Sequence, residues 1–238
     1  MHQVALESEH VCSEAVRWDE GCRSDAMRNE FLIPLLTQLF AEQRPSTILD
    51  IGTGTGHIPR SVDGALPFRA QWTLIDINEE RLKLARLLKP SEMQLETYNA
   101  DISAIAATGE KHHAVMLTFT LLESDDCEGM IANAAALTAT GGLLIIAVPD
   151  VWRDILDPAQ EFATLGNQFV SGFVQLSKID KFTGDPYPFN AMRTEKLISS
   201  VLKQSFALEQ LEQGGPNGEV YLLVFRKLEA ANAGTISA

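Results

Sequence analysis

The stretch that most constrains the fold is ILDIGTGTGHIPRSV at 48–62, where an apolar run contains an aspartate and leads directly into three closely spaced glycines. The run does not alternate polar and apolar residues, which is typical of a strand covered on both faces of a parallel sheet. A glycine-rich turn between such a strand and a helix brings backbone amides to the carboxyl edge of the sheet, where ligands of such folds bind. We therefore predict an α/β fold with a ligand site beside this turn.

Predicted strands and helices alternate along most of the chain. WTLIDI at 72–77 repeats the pattern of the first strand, and Asn78 can cap a helix over 78–89 with an apolar stripe of Leu82, Ala85 and Leu88. The short GGPNG link between the last two strands indicates an antiparallel pair. We predict a Rossmann-like, doubly wound, mixed seven-stranded sheet with the last strand antiparallel. Its strands are predicted at 47–51, 72–77, 93–100, 113–119, 141–149, 206–213 and 219–228.

Charge and composition limit the partners and the compartment. The net charge of −13 repels nucleic acid, and the basic residues at 81–89 alternate with leucine as on an exposed helix face. The longest apolar run, LLIIAV, is too short to cross a bilayer, and MHQVALESEH is unlike a signal peptide. An odd cysteine count argues against a disulfide framework, and no cluster suits a metal. We expect a soluble, cytoplasmic protein without a metal.

The glycine spacing separates two classes of nucleotide-binding fold. A dinucleotide fingerprint needs G-x-G-x-x-G, but the sixth position is His57 when counted from Gly52 and Pro59 when counted from Gly54. The chain has an acid two residues before the first glycine instead. With this motif, the chain resembles the class I S-adenosylmethionine-dependent methyltransferases. The resemblance covers roughly residues 46–150, motif by motif. The resemblance implies that the turn passes close to the methionine part of the cofactor, through Gly52, Thr53, Gly54 and Gly56, and that Asp50 holds the ammonium group directly or through water.

Further motifs extend the resemblance to the next three strands. In LIDIN, Asp76 would accept both ribose hydroxyls and Ile77 would pack on the adenine; in NADIS, Asp101 would accept from the adenine amino group beside the Ile102 amide. Thr118 and Phe119, at the end of the fourth strand, would border the cofactor and the acceptor. The three acids lie at the ends of three successive predicted strands, at the same edge of the sheet, and this order and spacing is more specific than any single motif. The implied cofactor is S-adenosylmethionine, with S-adenosylhomocysteine as product.

The acceptor is expected to be a small molecule. TFTLLES stands where enzymes that methylate amino groups of nucleobases or glutamine carry their Asn/Asp-Pro-Pro-Tyr/Phe motif, and the negative charge disfavours RNA. We therefore expect in-line methyl transfer to an oxygen or nitrogen atom. An RNA or protein methyltransferase and a non-catalytic subunit with the same fold remain alternatives. The oligomeric state is expected to be a monomer or a homodimer.

The resemblance also divides the chain. Residues 1–45 would form a helical segment or lid over the site, with one amphipathic helix at 24–43 capped by Ser24 or Asp25. Residues 46–228 would form the methyltransferase domain, with a substrate-wall insertion at about 150–192, and 229–238 a flexible tail. No base is assigned: His57 is interpreted as a packing or cofactor-edge residue, and Glu123 and Asp150 as acids at strand ends. Candidate substrate residues are Trp18, Arg23, Trp152, Arg153, Phe173, Tyr187, Phe189 and Arg193.

Overall fold

The computed structural model describes residues 12–149, 173–179 and 186–229 of the 238-residue chain, and only the backbone within 173–179 and 186–191. Its strands are β1 (Thr47–Ile51), β2 (Gln71–Asp76), β3 (Gln94–Asn99), β4 (His112–Thr118), β5 (Thr138–Pro149), β6 (Phe173–Ile179), β7 (Pro186–Met192), β8 (Phe206–Gly214) and β9 (Val220–Lys227). Its α-helices are α1 (Ser13–Ser24), α2 (Ile33–Gln43), α3 (His57–Ala65), α4 (Glu79–Leu87), α5 (Ile102–Ala106), α6 (Cys127–Leu137) and α7 (Thr194–Leu202). A π-helical turn spans Met27–Leu32, and a 3₁₀ turn spans Thr120–Glu123.

Seven of the described strands form one mixed sheet in the order β3-β2-β1-β4-β5-β9-β8. β9 runs antiparallel to both β5 and β8, whereas β1 is parallel to β2 and β4. The predicted doubly wound sheet with an antiparallel last strand is therefore confirmed. The chain reverses its direction of strand addition between β1 and β4, and ligands of doubly wound folds bind at the carboxyl edge beside such a switch point.

The core lies on both faces of this sheet. Ile48 of β1 and Met116 of β4 pack in the layer with Phe40 of α2, while Leu49 of β1 packs in the layer with Ile131 of α6. All five side chains are almost completely buried. Because neighbouring residues of one strand enter opposite apolar layers, the central strands carry apolar residues without alternation.

The helix after β2 follows the sequence prediction in part. The Asn78 side chain caps α4 by accepting hydrogen bonds from the amides of Glu80 and Arg81, at 3.1 and 3.2 Å. The predicted apolar stripe is wrong at one position, since Leu88 lies just after the helix and is 43% exposed. Leu84, which lies outside the predicted stripe, is buried.

The single helix predicted over 24–43 is present but changes from π to α geometry along its length. α1 ends at Ser24, the π-helical turn follows at Met27–Leu32, and α2 begins at Ile33. The Asp25 carboxylate accepts from the amide of Met27 at 3.0 Å. Asp25 therefore caps the first amide of the π-helical turn instead of the start of an α-helix. Pro34 has no N–H to donate to the carbonyl four residues before it, and its ring crowds that carbonyl, which favours a wider turn at this point.

Candidate active site

The glycine turn after β1 is attached to the neighbouring strand β2. The amides of Gly52 and Thr53 donate to the Ile75 carbonyl at 2.8 and 3.1 Å, and the Gly54 amide donates to Asp76 Oδ2 at 2.7 Å. The main chain at Gly52 and Gly54 has φ values of 69° and 58°, in the left-handed region that favours glycine. The shape of the turn is therefore fixed by β2 before any ligand is bound.

Two of these glycines are also required by side chains of the protein itself. A Cβ atom at Gly52 would collide with the Thr120 side chain, whose hydroxyl donates to the Ile51 carbonyl at 2.6 Å. A Cβ atom at Gly54 would lie 2.9 Å from the indole nitrogen of Trp18. The sequence interpretation attributed the glycines to close approach of a ligand, whereas the structure gives Gly52 and Gly54 a packing reason as well.

Asp50 is a buried carboxyl beneath this turn. Its side chain is 1% exposed, and neither carboxyl oxygen has a hydrogen-bond partner within the described residues. Burial raises the pKa of Asp50 to about 7, the nearby charge of Asp76 raises it further, and the hydroxyls of Thr53 and Thr118 partly offset both effects. A buried carboxyl that only these two hydroxyls approach among the described residues can accept hydrogen bonds from a ligand's ammonium group or from a bridging water.

Asp76 ends β2 and binds two backbone amides. Besides the Gly54 amide at Oδ2, Oδ1 accepts from the Asn78 amide at 2.8 Å. Since each carboxylate oxygen has two lone pairs, acceptor capacity remains on both oxygens. The following residue, Ile77, is 79% exposed, which is unusual for a large apolar side chain and gives a flat apolar surface beside the carboxylate.

Asp101 follows the end of β3 and caps α5. Its Oδ1 accepts from the Ser103 amide at 2.8 Å, and hydrogen bonds from Ser103 lower the pKa of this exposed carboxyl. Ile102 points into the core and is 4% exposed. Because Asp76 pairs with Asn99 in the parallel register of β2 and β3, Asp101 lies at the same edge as Asp76.

The end of β4 has an unusual backbone. Phe119 follows the buried Thr118 and has a φ of 64°, a left-handed conformation that bulky residues rarely adopt. Its amide donates to the Ala147 carbonyl at 2.9 Å, and the Arg28 guanidinium carbon lies 4.7 Å from its ring centroid. Strained residues of this kind are concentrated at functional sites. The conformation of Phe119 therefore indicates that the candidate site extends along the sheet edge to the end of β4.

Comparison with known proteins agrees with this geometry. Residues 48–142 match the model of the methyltransferase domain family. This part of the chain is thus similar to a methyltransferase domain. The match covers the turn, all three acids, and the strand ends described above.

Solved structures extend the likeness to most of the fold. An O-methyltransferase family protein from Burkholderia thailandensis superposes with a TM-score of 0.64 at 16% identity, covering 91% of this chain and 60% of that one. The chain thus spans less than two thirds of that protein. The N-methyltransferase NodS from Bradyrhizobium japonicum, solved with S-adenosylhomocysteine, gives 0.61 at 16% identity over 91% and 95%. Magnesium protoporphyrin IX methyltransferase from Synechocystis gives 0.61 at 14% over 89% and 93%. No curated protein matches significantly.

The N-terminal helix α1 packs on the methyltransferase domain through Trp18 and Arg81. The Arg81 guanidinium carbon lies 3.8 Å from the Trp18 ring centroid, and its Nη2 pairs with Glu14 at 2.8 Å. The Arg81 side chain is only 17% exposed. Arg81 was predicted to lie on a solvated helix face, which is wrong, because that face is covered by a helix distant in sequence.

A second polar cluster joins α1 to the start of α3. Asp19, 1% exposed, accepts from Thr55 Oγ1 and Arg60 Nη2, both at 2.8 Å, and pairs with Arg23 at 3.0 Å. The sequence analysis missed Asp19, Thr55 and Arg60. No local pattern marks them, since their role depends on how α1 packs against the domain.

The candidate substrate residues fall in three places. Trp18 and Arg23 lie on α1, and Arg193 precedes α7, where it pairs with Glu195 at 3.3 Å. The other candidates belong to the predicted insertion. β6 and β7 form an antiparallel hairpin, with β7 running close to the 3₁₀ turn after β4. Phe173, Tyr187 and Phe189 belong to this hairpin by their backbone, whereas Trp152, Arg153 and Asp150 lie outside the described residues.

The described residues contain neither a candidate metal site nor a candidate membrane-spanning helix. No group of three or more His, Cys, Asp or Glu side chains in that part of the chain could hold a metal ion. No helix within the same ranges is long and apolar enough to span a membrane.

Proposed function

We propose that this protein transfers the methyl group of S-adenosylmethionine, by in-line displacement, to an oxygen or nitrogen atom of a small-molecule acceptor. The observation that carries the proposal is the pair of carboxyl groups on either side of the glycine turn of the methyltransferase domain. Asp50 is buried in β1, and neither of its carboxyl oxygens accepts a close hydrogen bond from a described residue. Asp76 ends β2 and binds two backbone amides, and each of its carboxylate oxygens can accept one more hydrogen bond.

The residues at this edge fit the chemical groups of the cofactor. Asp50 would hold the ammonium group, directly or through a water, and Asp76 would accept the ribose hydroxyls. The exposed side chain of Ile77 would pack on the adenine, and Asp101 would accept from its amino group. The remaining cofactor contacts are proposed from the turn itself and from Ile102, Thr118 and Phe119. The sulfonium makes the methyl carbon electrophilic when the cofactor is bound, so the protein's main task is to align the acceptor and exclude water.

Three observations support a small-molecule acceptor. The net charge of −13 opposes binding of RNA, and TFTLLES after β4 lacks the motif of base-methylating enzymes. Similar structures include proteins named as O-methyltransferase, N-methyltransferase and magnesium protoporphyrin IX methyltransferase. We further propose that residues 1–45 cover the site, that 150–192 form a wall for the acceptor, and that the protein acts in the cytoplasm as a monomer or homodimer.

Cofactor binding is tested by calorimetry with S-adenosylmethionine and S-adenosylhomocysteine. Asp76→Ala removes the acceptor for the ribose hydroxyls, and loss of two charge-assisted hydrogen bonds should weaken binding at least about tenfold. Glu110→Ala, at an exposed acid in the loop before β4, is the matched control and should bind like the wild type. No binding by the wild type, or unchanged binding by the Asp76 variant, contradicts the cofactor assignment.

The acceptor class is tested with cofactor labelled in its methyl group. The protein is incubated separately with small metabolites, RNA and protein from a cell extract, and the label is counted in each fraction. Label in the small-metabolite fraction is the expected result. Label in RNA or protein would establish the alternative acceptor, and cofactor binding without label in any fraction would indicate a non-catalytic subunit.

A further inference from the structure

The π-helical turn holds the amide of Asn29 in a single orientation. Asn29 Nδ2 donates to the carbonyls of Cys22, Arg23 and Asp25 at 3.0, 3.1 and 2.7 Å. Three acceptors on one side of the amide require the NH₂ group there, so Oδ1 must point the other way. Oδ1 faces His57 Nε2 at 2.9 Å.

This orientation determines the tautomer of His57. Since Asn29 Oδ1 can only accept, Nε2 must carry the proton, and Nδ1 of the neutral ring is left with a lone pair. No described residue forms a hydrogen bond with Nδ1. Within the described part of the chain, Nδ1 of His57 is thus a proton acceptor on a ring that a second residue orients.

His57 lies where the acceptor side of the site begins. It is the first residue of α3, directly after the glycine turn and beside the switch point between β1 and β4. The same π-helical turn places Arg28 over Phe119 at the end of β4 and packs Phe31 against Gly214 at the end of β8. The nucleoside is expected beside β2 and β3. The π-helical turn crosses the other part of the same sheet edge, beside β4 and β8.

We propose that His57 Nδ1 accepts the proton of the methyl acceptor and that Asn29 is its positioning residue. This inference rests on the proposed methyltransferase function. The proton passes from the acceptor's O–H or N–H to Nδ1, and the electron pair released on that oxygen or nitrogen forms the bond to the methyl carbon. The electron pair of the broken methyl–sulfur bond stays on sulfur, and the imidazolium later returns its proton to water.

The charged groups around His57 favour the neutral ring. Burial lowers the pKa of His57, and so do the positive charges of Arg60, Arg28 and Arg23, while Asp19 acts in the opposite direction. The helix amino terminus at α3 also disfavours a positive charge at this position. The ring is therefore unprotonated and ready to accept a proton at neutral pH.

The tautomer can be observed without cofactor or acceptor. Long-range ¹H–¹⁵N correlation spectra of the full-length protein should show the His57 proton on Nε2 and a lone pair on Nδ1. Asn29→Ala should allow the other tautomer to be populated, which a merely structural role of Asn29 in the π-helical turn would not produce. A proton on Nδ1 in the wild type overturns the proposal.

Catalysis is tested with His57→Gln, whose amide can still donate to Asn29 Oδ1 but cannot take up a proton. At saturating cofactor, transfer of labelled methyl into the small-metabolite fraction should fall at least about 100-fold, with cofactor affinity in calorimetry unchanged. The wild-type rate should decrease as the pH falls below the ordinary histidine value of 6.5, and the variant should lack this decrease. His113→Gln, at the opposite edge of the sheet, is the control.

The outcomes separate this inference from the proposed function. A rate within about threefold of wild type for His57→Gln overturns the role of His57 and leaves the methyltransferase function intact. Loss of cofactor affinity in that variant assigns His57 to cofactor binding instead and also overturns the proposal. A wild-type protein that binds the cofactor but labels no fraction contradicts both.

Discussion

Asp50→Asn should stabilise the protein increasingly as the pH rises. The ordinary carboxyl pKa of 3.8 is raised to about 7 at this position, chiefly by burial. Because the folded state holds the proton more tightly than the unfolded state, Asp50 does not oppose folding below the unfolded pKa. As the pH rises from 3.8 towards 7, the unfolded carboxyl ionises more readily, and the folded state loses stability relative to it.

The magnitude follows from the shift. Each pH unit between the two pKa values contributes about 1.4 kcal/mol, so the destabilisation is about 2 kcal/mol at pH 5 and about 4 kcal/mol at pH 8. An amide at this site also lacks partners and costs about 1–3 kcal/mol, but this cost is the same at both pH values. The stabilisation of the variant relative to wild type should therefore be about 2–3 kcal/mol larger at pH 8 than at pH 5.

Urea unfolding of both proteins at these two pH values, followed by circular dichroism, measures this difference. Asp101→Asn is the matched control, since Asp101 is exposed and hydrogen bonds lower its pKa. A lowered carboxyl pKa contributes stability that is lost only as the pH falls through that pKa, so the control should show little change from pH 5 to pH 8. A difference between Asp50→Asn and wild type that is equal at both pH values would refute the reasoning about the buried carboxyl.

Two further predictions concern the glycine turn and the opposite edge of the sheet. Gly54→Ala combines a φ of 58° with a Cβ only 2.9 Å from Trp18, whereas Gly141→Ala has a φ of 73° and open space. Urea unfolding should give a loss of about 1–2 kcal/mol for Gly141→Ala and at least about 1 kcal/mol more for Gly54→Ala, and equal losses would contradict the packing role of Trp18. Burial lowers the pKa of His112, which is 2% exposed, so its contribution to stability is present above pH 6.5 and lost as the pH falls below it. His112→Leu should reduce the loss of unfolding free energy on acidification, and an unchanged pH dependence would show that His112 does not contribute to it.

The sheet could be predicted because its determinants are local in sequence. Adjacent residues such as Ile48 and Leu49 enter opposite apolar layers, which leaves an unalternating apolar run that can be recognised without a structure. The cap at Asn78 and the antiparallel last strand likewise depend on a few neighbouring residues. The β6–β7 hairpin was not predicted, since its strands lie in a region where aromatic and turn residues are mixed.

The helix predicted over 24–43 shows what apolar periodicity alone cannot report. The apolar periodicity of 24–43 is that of a helix, and α2 and the π-helical turn do bury Leu32, Leu36 and Phe40. Apolar periodicity does not show which backbone hydrogen bonds a helix forms, however. The π geometry of the turn before Pro34 therefore could not be predicted from it. That change matters for the site, because it sets the positions of Arg28 and Asn29 relative to the sheet.

Some residues around the glycine turn are placed there by the strand to which they belong, and others by the packing of elements that are distant in sequence. Asp50 and Asp76 belong to strands, so the sequence places them at the carboxyl edge together with the glycine turn. Asn29 and Asp19 reach the same edge only because α1 and the π-helical turn pack across it, and their partners, His57 and Arg60, are distant in sequence. Separating α1 from the domain would leave the buried carboxylate of Asp19 without its hydrogen bonds, which opposes such a movement. α1 and the π-helical turn therefore contact the residues that follow the glycine turn, and a local sequence pattern cannot reveal contacts that depend on their packing.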